Sequence, residues 1–172
     1  MILYNLKELI IVKNLTIRKI QKEDYPQLVA IENSVWTVEN TPGIVHYNNT
    51  SEYMSRYPIG SNFVAVDENN HVVGVLQYEN ATPLPTSNKT LSLSIAVSQT
   101  AQNAGAGSAL MNRVKDYARE HNYRKLTLRA LGSNARALAF YQKHQFVIEG
   151  HLKDEFYIDG KFVDDYLLSY FL

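Results

Sequence analysis

Short runs in which apolar and polar residues alternate, or in which aliphatic residues follow one another, recur along this chain. A period of two is typical of strands with one buried face, and short unbroken apolar runs fit strands buried on both faces. Between two of these runs, the polar segment 68–70 is suited to a hairpin turn. The pattern predicts seven strands, at 16–20, 63–66, 72–76, 91–97, 125–130, 146–152 and 162–171.

Apolar residues at helical spacing predict the remaining elements. Asp24 is expected to cap a first helix, on which Glu32 shares a face with apolar residues. A short second helix is expected at 51–56, and a loop with two prolines at 80–89.

The third predicted helix follows a pair of glycines and is amphipathic. Arg113 and Lys115 fall away from its apolar face, which carries Leu110, Val114, Tyr117 and Ala118. A fourth helix is predicted at about 134–143, with Ser133 as its cap. The resulting order, β-α-α-β-β-β-α-β-α-β-β, predicts an α/β domain at 14–172 preceded by an N-terminal extension at 1–13.

Composition narrows the class of protein. The chain has 172 residues and is 45% apolar, enough for a single domain with a substantial core. Lysine plus arginine equals aspartate plus glutamate at 17 each, so we expect neither nucleic acid nor membrane as a partner. The absence of cysteine excludes a thiol nucleophile, a disulfide and a cysteine zinc site, and no metal site is predicted.

The same sequence bears on location. No run approaches the eighteen consecutive apolar residues of a membrane-spanning helix, so none is expected. Residues 1–9 include Lys7 and Glu8 and lack a small-residue cleavage site, which makes them a poor signal peptide. The cytoplasm is the default expectation.

Candidate chemistry begins where the strand at 91–97 leads into the third helix. Gly105 and Gly107 carry no Cβ, so a ligand could approach the backbone where the first helical N–H groups lack partners. With the positive end of the helix dipole, those donors suit phosphate oxygens. The segment is predicted to hold the diphosphate of a nucleotide-like cofactor, although a plain helix start remains an alternative.

Three phosphate-binding patterns can be compared with this segment. A P-loop requires a lysine after the second glycine, and none follows Gly107. A dinucleotide fingerprint requires a third small residue, where this chain has Leu110. The pattern Gln/Arg-x-x-Gly-x-Gly/Ala fits from Gln102 to Gly107 at every fixed position.

A second motif follows about thirty residues later. The chain matches Asn-x-x-Ala-x-x-Phe/Leu-Tyr and a following Phe, with Gln145 where glycine is usual; the matching residues are Asn134, Ala137, Phe140, Tyr141 and Phe146. Together the two motifs resemble the GNAT N-acetyltransferases, over roughly residues 15–171. The resemblance implies the GNAT acyl-CoA N-acyltransferase fold, a central mixed twisted sheet of about seven strands with four helices. It also implies acetyl-CoA as co-substrate.

The resemblance further implies roles for individual residues. Tyr141 would give a proton to the departing thiolate, and Asn134 would cap its helix or bind the pantetheine arm. The strand backbone of Ile95, Ala96 and Val97 would pair with that arm. The diphosphate would be bound by the loop that consists of Gln102, Asn103, Ala104, Gly105, Ala106, Gly107 and Ser108.

The general base is left unassigned. Many family members have a glutamate five residues before the asparagine of the second motif, and this chain has Arg129 there. Arg129 would suit an acceptor with a carboxylate or phosphate if it faced the acceptor cleft, or it could pair with a neighbouring acid. Conceivable bases are Glu32, Glu79, His46 and His151. The aromatic residues in the region that shapes the acceptor site in this family are Trp36, Tyr47, Tyr53 and Tyr57, and such a group is more often core packing than substrate lining.

The leading hypothesis is an N-acetyltransferase that transfers an acetyl group from acetyl-CoA to a primary amine of a small molecule or peptide, by direct attack in a ternary complex. One rival is a non-catalytic acyl-CoA-binding or sensing module. Another is a nucleotide-binding oxidoreductase, against which the missing third small residue counts. A homodimer is an open expectation.

Overall fold

The computed structural model describes residues 14–43, 45–102 and 104–172, together with the backbone of 10–12. Its eight strands are β1 (Ile10–Val12), β2 (Leu15–Lys19), β3 (Phe63–Val66), β4 (Val72–Asn80), β5 (Thr90–Val97), β6 (Lys125–Leu131), β7 (Val147–Ile158) and β8 (Lys161–Phe171). They form one sheet in the order β1-β2-β3-β4-β5-β6-β8-β7. The β5–β6 pair is parallel, whereas β2–β3, β3–β4, β6–β8 and β7–β8 are antiparallel, so the sheet is mixed.

Four α-helices are present in the described parts of the chain: α1 (Tyr25–Val35), α2 (Thr50–Arg56), α3 (Ala106–Glu120) and α4 (Ala135–Lys143). The predicted α/β class, with a mixed sheet and four helices, is confirmed. All seven predicted strands occur, and β1 adds an eighth within the predicted N-terminal extension. The boundary between extension and domain at residue 13 stays a prediction, and residues 1–9 lie outside the described residues.

Two predicted helix caps were wrong. Asp24 ends a turn of 3₁₀ helix ahead of α1, and its carboxylate accepts hydrogen bonds from Arg18 and from the Gln21 N–H. At α4 the cap is Asn134, whose Oδ1 accepts from the Ala137 N–H at 3.0 Å, rather than Ser133. At α4 the neighbouring Ser133 and Asn134 both satisfy the helix-start pattern, and ahead of α1 the N-cap position is Gln21, three residues before Asp24, so the sequence alone could not separate the candidates.

The chain divides into two compact units. The first comprises the described residues within Met1–Val35, His46–Gln77 and Ile95–Val114, and the second those within Trp36–Val45, Tyr78–Ser94 and Lys115–Leu172. Fully buried side chains form the core of each. They include Ile17, Phe63, Leu76, Leu110 and Met111 in the first unit, and Leu91, Leu126, Phe146 and Leu168 in the second.

Helix α3 buries two cations that were predicted to lie away from its apolar face. In the first unit, the Arg113 guanidinium lies 4.7 Å from the centre of the Phe63 ring. In the second unit, Lys115 Nζ donates to the His144 carbonyl at 2.6 Å. The ring of Tyr170 lies 3.8 Å from that ammonium. The methylene groups of both side chains pack against apolar residues, and their charged groups contact aromatic rings or a backbone carbonyl.

None of the helices in the described residues has the length and apolar character needed to cross a bilayer.

Candidate active site

The predicted phosphate loop lies in the first unit, at the start of α3. A short 3₁₀ turn, Gln99–Ala101, follows β5, and the chain then reaches Gly105 before α3 begins at Ala106. Gly105 has a φ of +92°, a conformation that side chains with a Cβ rarely adopt. A Cβ at this position would meet no atom within 4 Å, so the backbone conformation and not crowding requires glycine.

The first turn of α3 presents backbone donors. The Ala109 N–H donates to the Gly105 carbonyl at 2.9 Å, so the amides of Ala106 and Gly107 come before the first helical hydrogen bond. In a helix of 15 residues, these donors coincide with the positive end of the dipole, which is an anion-binding arrangement.

The backbone N–H groups of two other loop residues already have hydrogen-bond partners. The Ala104 N–H already donates to the Ala101 carbonyl at 3.2 Å, and the Gln102 N–H donates to the Gln99 carbonyl at 3.4 Å. Ser108 lies in the first turn of α3, and Asn103 lies outside the described residues. The amides of Ala106 and Gly107 therefore carry the anion-binding argument.

The predicted pantetheine strand forms the end of β5. The parallel pairing of β5 with β6 covers Thr90–Ser92 in the described chain, and Ile95–Val97 lie beyond it. Gly74 of β4 closely approaches this segment, because a Cβ there would lie 3.2 Å from the Ala96 carbonyl oxygen and 3.3 Å from Val97 Cγ2. Ala96 is buried, and the other two side chains are partly exposed.

Tyr141 lies in the second unit, on α4. Its side chain is buried, with the ring 5.5 Å from that of Phe140 and 6.0 Å from that of Phe146, centre to centre. Burial raises the pKa of Tyr141 to about 12, so the phenol keeps its proton at neutral pH. No hydrogen bond joins the hydroxyl to another described residue. It is therefore a protonated donor available to a ligand.

The turn after α4 adopts glycine-like geometry without a glycine. Gln145 has a φ of +65°, and its N–H donates to the Gln142 carbonyl at 2.8 Å. The Phe146 N–H donates back to the Tyr141 carbonyl at 3.0 Å. The departure from the family pattern thus leaves the expected left-handed turn in place, with a side chain that tolerates it poorly.

Arg129 is paired with acids in the second unit. Its Nε donates to Asp165 of β8, and its Nη2 lies 3.5 Å from Glu155 Oε1. The Asp165 side chain is almost fully buried, whereas that of Arg129 is about half exposed. Of the two interpretations of Arg129 that the sequence left open, pairing with a neighbouring acid is the one observed.

The tyrosines of the predicted acceptor region form a cluster in the first unit. The ring centre of Tyr53 lies 4.9 Å from those of Tyr47 and Tyr57 and 6.1 Å from that of Tyr25. The Tyr25 hydroxyl donates to the Tyr57 carbonyl at 2.8 Å. Desolvation by burial raises the pKa of each of these four phenols. Trp36 belongs to the second unit.

A buried carboxylate lies beside this tyrosine cluster. Glu32 Oε1 accepts from Gln77 Nε2 at 2.7 Å and from the Tyr53 hydroxyl at 3.4 Å. Gln77 and this network were not identified from the sequence, because the partners lie 21 to 45 positions apart. The other conceivable bases differ in environment: Glu79 and His46 are exposed, and His151 is bonded to Asp164.

Comparison with known proteins agrees with this geometry. A model of the acetyltransferase (GNAT) family matches residues 16–146. The chain belongs to this family. A Bacillus subtilis (strain 168) relative, provisionally named a phosphinothricin acetyltransferase, is 26% identical over 154 residues, which cover 87% of this chain and 94% of the relative.

Solved structures extend the comparison. The crystal structure of smu.2055 from Streptococcus mutans UA159 has a TM-score of 0.82 and 30% identity, and the match covers 90% of this chain and 98% of that one. A GNAT superfamily phosphinothricin acetyltransferase from Sinorhizobium meliloti, in complex with AcCoA, has a TM-score of 0.78. The match covers 92% of this chain and 89% of that one. Because the two sequences are only 19% identical, this similarity establishes the fold alone.

Membership of the GNAT family confirms three predictions. The protein is an enzyme, its activity is acetyl transfer, and acetyl-CoA is the co-substrate that this family uses. The assignments of individual site residues, the acceptor and the general base stay predictions.

Proposed function

We propose that this enzyme transfers the acetyl group of acetyl-CoA to a primary amine of a small molecule or peptide, by direct attack in a ternary complex. The observation that carries the proposal is Tyr141, a buried phenol that keeps its proton and has no hydrogen-bond partner among the described residues. Thioester aminolysis needs a proton for the departing thiolate, and a positioned phenol can supply it.

The other predicted site residues would position the donor. The amides of Ala106 and Gly107 would bind the diphosphate oxygens, aided by the α3 dipole. The backbone of Ile95, Ala96 and Val97 would pair with the pantetheine arm. Fixing the thioester relative to the amine lowers the barrier by removing the entropy cost of bringing the reactants together.

Direct attack is supported by composition. The chain contains no cysteine, so no protein thiol can receive the acetyl group in a covalent intermediate. We therefore expect acetyl-CoA and the amine to be bound together, which predicts sequential kinetics rather than ping-pong kinetics.

The acceptor class stays open between an N-terminal peptide amine, an amino acid and a small-molecule amine. The pairing of Arg129 with Asp165 and Glu155 lessens its ability to select an acceptor carboxylate or phosphate. Cytoplasmic location and a homodimer also stay predictions.

The test combines binding with turnover. Calorimetry with coenzyme A should show binding, and a parallel titration with NAD should not. Thiol release from acetyl-CoA is then measured with phosphinothricin, spermidine, a free amino acid and a peptide that begins with alanine. Amine-dependent thiol release supports the proposal. Coenzyme A binding without release for every amine would instead favour an acyl-CoA-binding module, and absence of binding would overturn both.

A further inference from the structure

A histidine–carboxylate pair occupies the antiparallel β7–β8 ladder of the second unit. His151 Nε2 lies 2.7 Å from Asp164 Oδ2, and the two side chains are 45% and 30% exposed. A hydrogen bond from the Asp154 backbone, followed by the one from His151, lowers the pKa of Asp164, so this carboxylate is ionised and can only accept. His151 Nε2 therefore carries the hydrogen, which leaves Nδ1 of the neutral ring with a lone pair.

An irregularity in β7 holds the carboxylate in place. The β7–β8 register shifts between Leu152 and Phe156, where the chain bulges. Within the bulge, Asp154 has a φ of +53°, and its N–H donates to Asp164 Oδ1 at 2.9 Å. Both oxygens of Asp164 are thus bonded, one by backbone and one by imidazole. The left-handed conformation of Asp154 points its backbone N–H at the Asp164 carboxylate, which explains why this backbone strain is present.

The imidazole ring is also fixed on its face. The ring of Tyr166 stacks on that of His151 at 4.5 Å between centres, with an interplanar angle of 16°. Hydrogen bonding at Nε2 and stacking on the face restrict the ring while its edge at Nδ1 has no partner among the described residues. This is the arrangement of a general base held by a third group.

The pair is joined to the segment that leads into α4. The Gly132 N–H donates to the Asp164 carbonyl at 2.8 Å. A Cβ on Gly132 would lie 3.3 Å from both Asp164 Cβ and Tyr166 Cε2. The absence of a side chain at residue 132 therefore lets the two segments pack closely. Two residues later Asn134 caps α4, the helix that carries Tyr141.

We propose that His151 is the general base of the acetyl transfer and that Asp164 is its positioning residue. This inference rests on the function proposed above. His151 Nδ1 takes a proton from the acceptor ammonium, and the neutral amine attacks the thioester carbonyl carbon. The C–N bond forms, the C–S bond breaks, and the thiolate takes the proton of Tyr141. The nitrogen then loses its second proton to solvent, and solvent returns one to Tyr141 and receives the one held by His151.

Charged and titratable groups around the ring bear on its pH dependence. Asp164 and Tyr166 face it from β8, and Asp154 and Lys153 belong to its own strand. General-base catalysis is worth about 10²- to 10⁴-fold in rate. His151→Gln should therefore lower kcat at least about a hundredfold while the KM for acetyl-CoA stays unchanged. The acid limb of the kcat/KM profile, which reports protonation of the base, should disappear.

Further variants separate catalysis from folding. Asp164→Asn should also lower kcat, and the double variant should be no slower than His151→Gln, because the two residues act as one unit. The matched control is His71→Gln. His71 also pairs with an aspartate, Asp67, at 3.3 Å, but it lies in the exposed β3–β4 turn, so its loss should leave the rate unchanged. Thermal melting confirms that each variant folds.

The possible outcomes are distinct. The assay uses the full chain, acetyl-CoA and the amine of the panel with the highest wild-type rate. A His151→Gln variant that keeps the wild-type rate and acid limb overturns the assignment of His151 as the base. A double variant whose losses simply multiply overturns the positioning role of Asp164. Both results leave the proposed acetyl transfer standing. If the wild-type chain releases no thiol with any amine, the proposed function fails, and this base assignment fails with it.

Discussion

At the scale of single residues, burial has different consequences for two polar side chains of the second unit. Lys115 is buried with its ammonium bonded to the His144 carbonyl and covered by aromatic rings, so its polar atoms are satisfied within the protein. Tyr141 is buried to a similar degree, but its hydroxyl has no such partner among the described residues. The hydroxyl oxygen is not among the fully buried unpartnered atoms of the described residues, so it stays accessible at the end of a buried ring, which suits a role in binding or catalysis.

Replacement of Tyr141 tests this interpretation. Tyr141→Phe keeps the ring packing and removes the proton donor, so kcat should fall about 10²-fold or more while calorimetric affinity for coenzyme A is retained. Tyr157→Phe on exposed β7 is the matched control and should have no effect. A full rate in Tyr141→Phe would exclude this phenol from the chemistry.

At the scale of elements, the loop before α3 combines one left-handed glycine with one helix terminus. Neither feature binds an anion strongly alone, but Gly105 turns the chain so that the amides of Ala106 and Gly107 begin the helix. A side chain at residue 105 would disfavour that turn and so misplace the donors.

Gly105→Ala should therefore reduce affinity for coenzyme A at least several-fold and destabilise the fold by about 1–2 kcal/mol. Gly160→Ala is the matched control, because Gly160 has a φ of +78° with equally open surroundings but lies in the β7–β8 hairpin. We expect similar losses in urea-denaturation midpoint for the two variants and a change in calorimetric affinity for Gly105→Ala alone. Equal affinities in both variants would contradict the loop assignment.

The elements themselves were predictable, because their signals are local. Strand alternation, the glycine pair and the Asn134–Tyr141 spacing each lie within a few turns of chain, and all predicted strands and helices occur. The networks around the site were not predictable in this way. The Glu32–Gln77 hydrogen bond joins residues 45 positions apart. The His151–Asp164 pair depends on a bulge in β7, and the residues of that bulge include no glycine or proline from which it could be predicted.

At the scale of the whole molecule, tyrosine burial couples stability to alkaline pH. Burial raises the pKa of Tyr25, Tyr47, Tyr53, Tyr57 and Tyr141 in the folded chain above the ordinary value near 10. As pH rises past 10, the unfolded chain loses these protons and the folded chain keeps them. The unfolded state is thereby favoured, so the stabilisation is complete below pH 10 and declines above it.

The free energy of unfolding should accordingly fall between pH 10 and 11, by about 1 kcal/mol for each of the strongly shifted tyrosines, Tyr53, Tyr57 and Tyr141. Urea denaturation at pH 8, 10 and 11 measures the fall. Tyr53→Phe should show a smaller decrease over the same interval, although it starts from a lower stability because bonds to Gln77 and Glu32 are lost. A constant midpoint from pH 8 to 11 would contradict this prediction.

The bulge in β7 has a consequence beyond the histidine pair. β7 is an edge strand of the sheet and is 12 residues long, with exposed apolar side chains such as Val147, Ile148 and Tyr157. A straight edge of this length could recruit a strand from another molecule and begin aggregation. The left-handed Asp154 and the charges of Lys153 and Glu155 interrupt that edge, so the feature that holds a carboxylate also protects the chain against fibrous self-association.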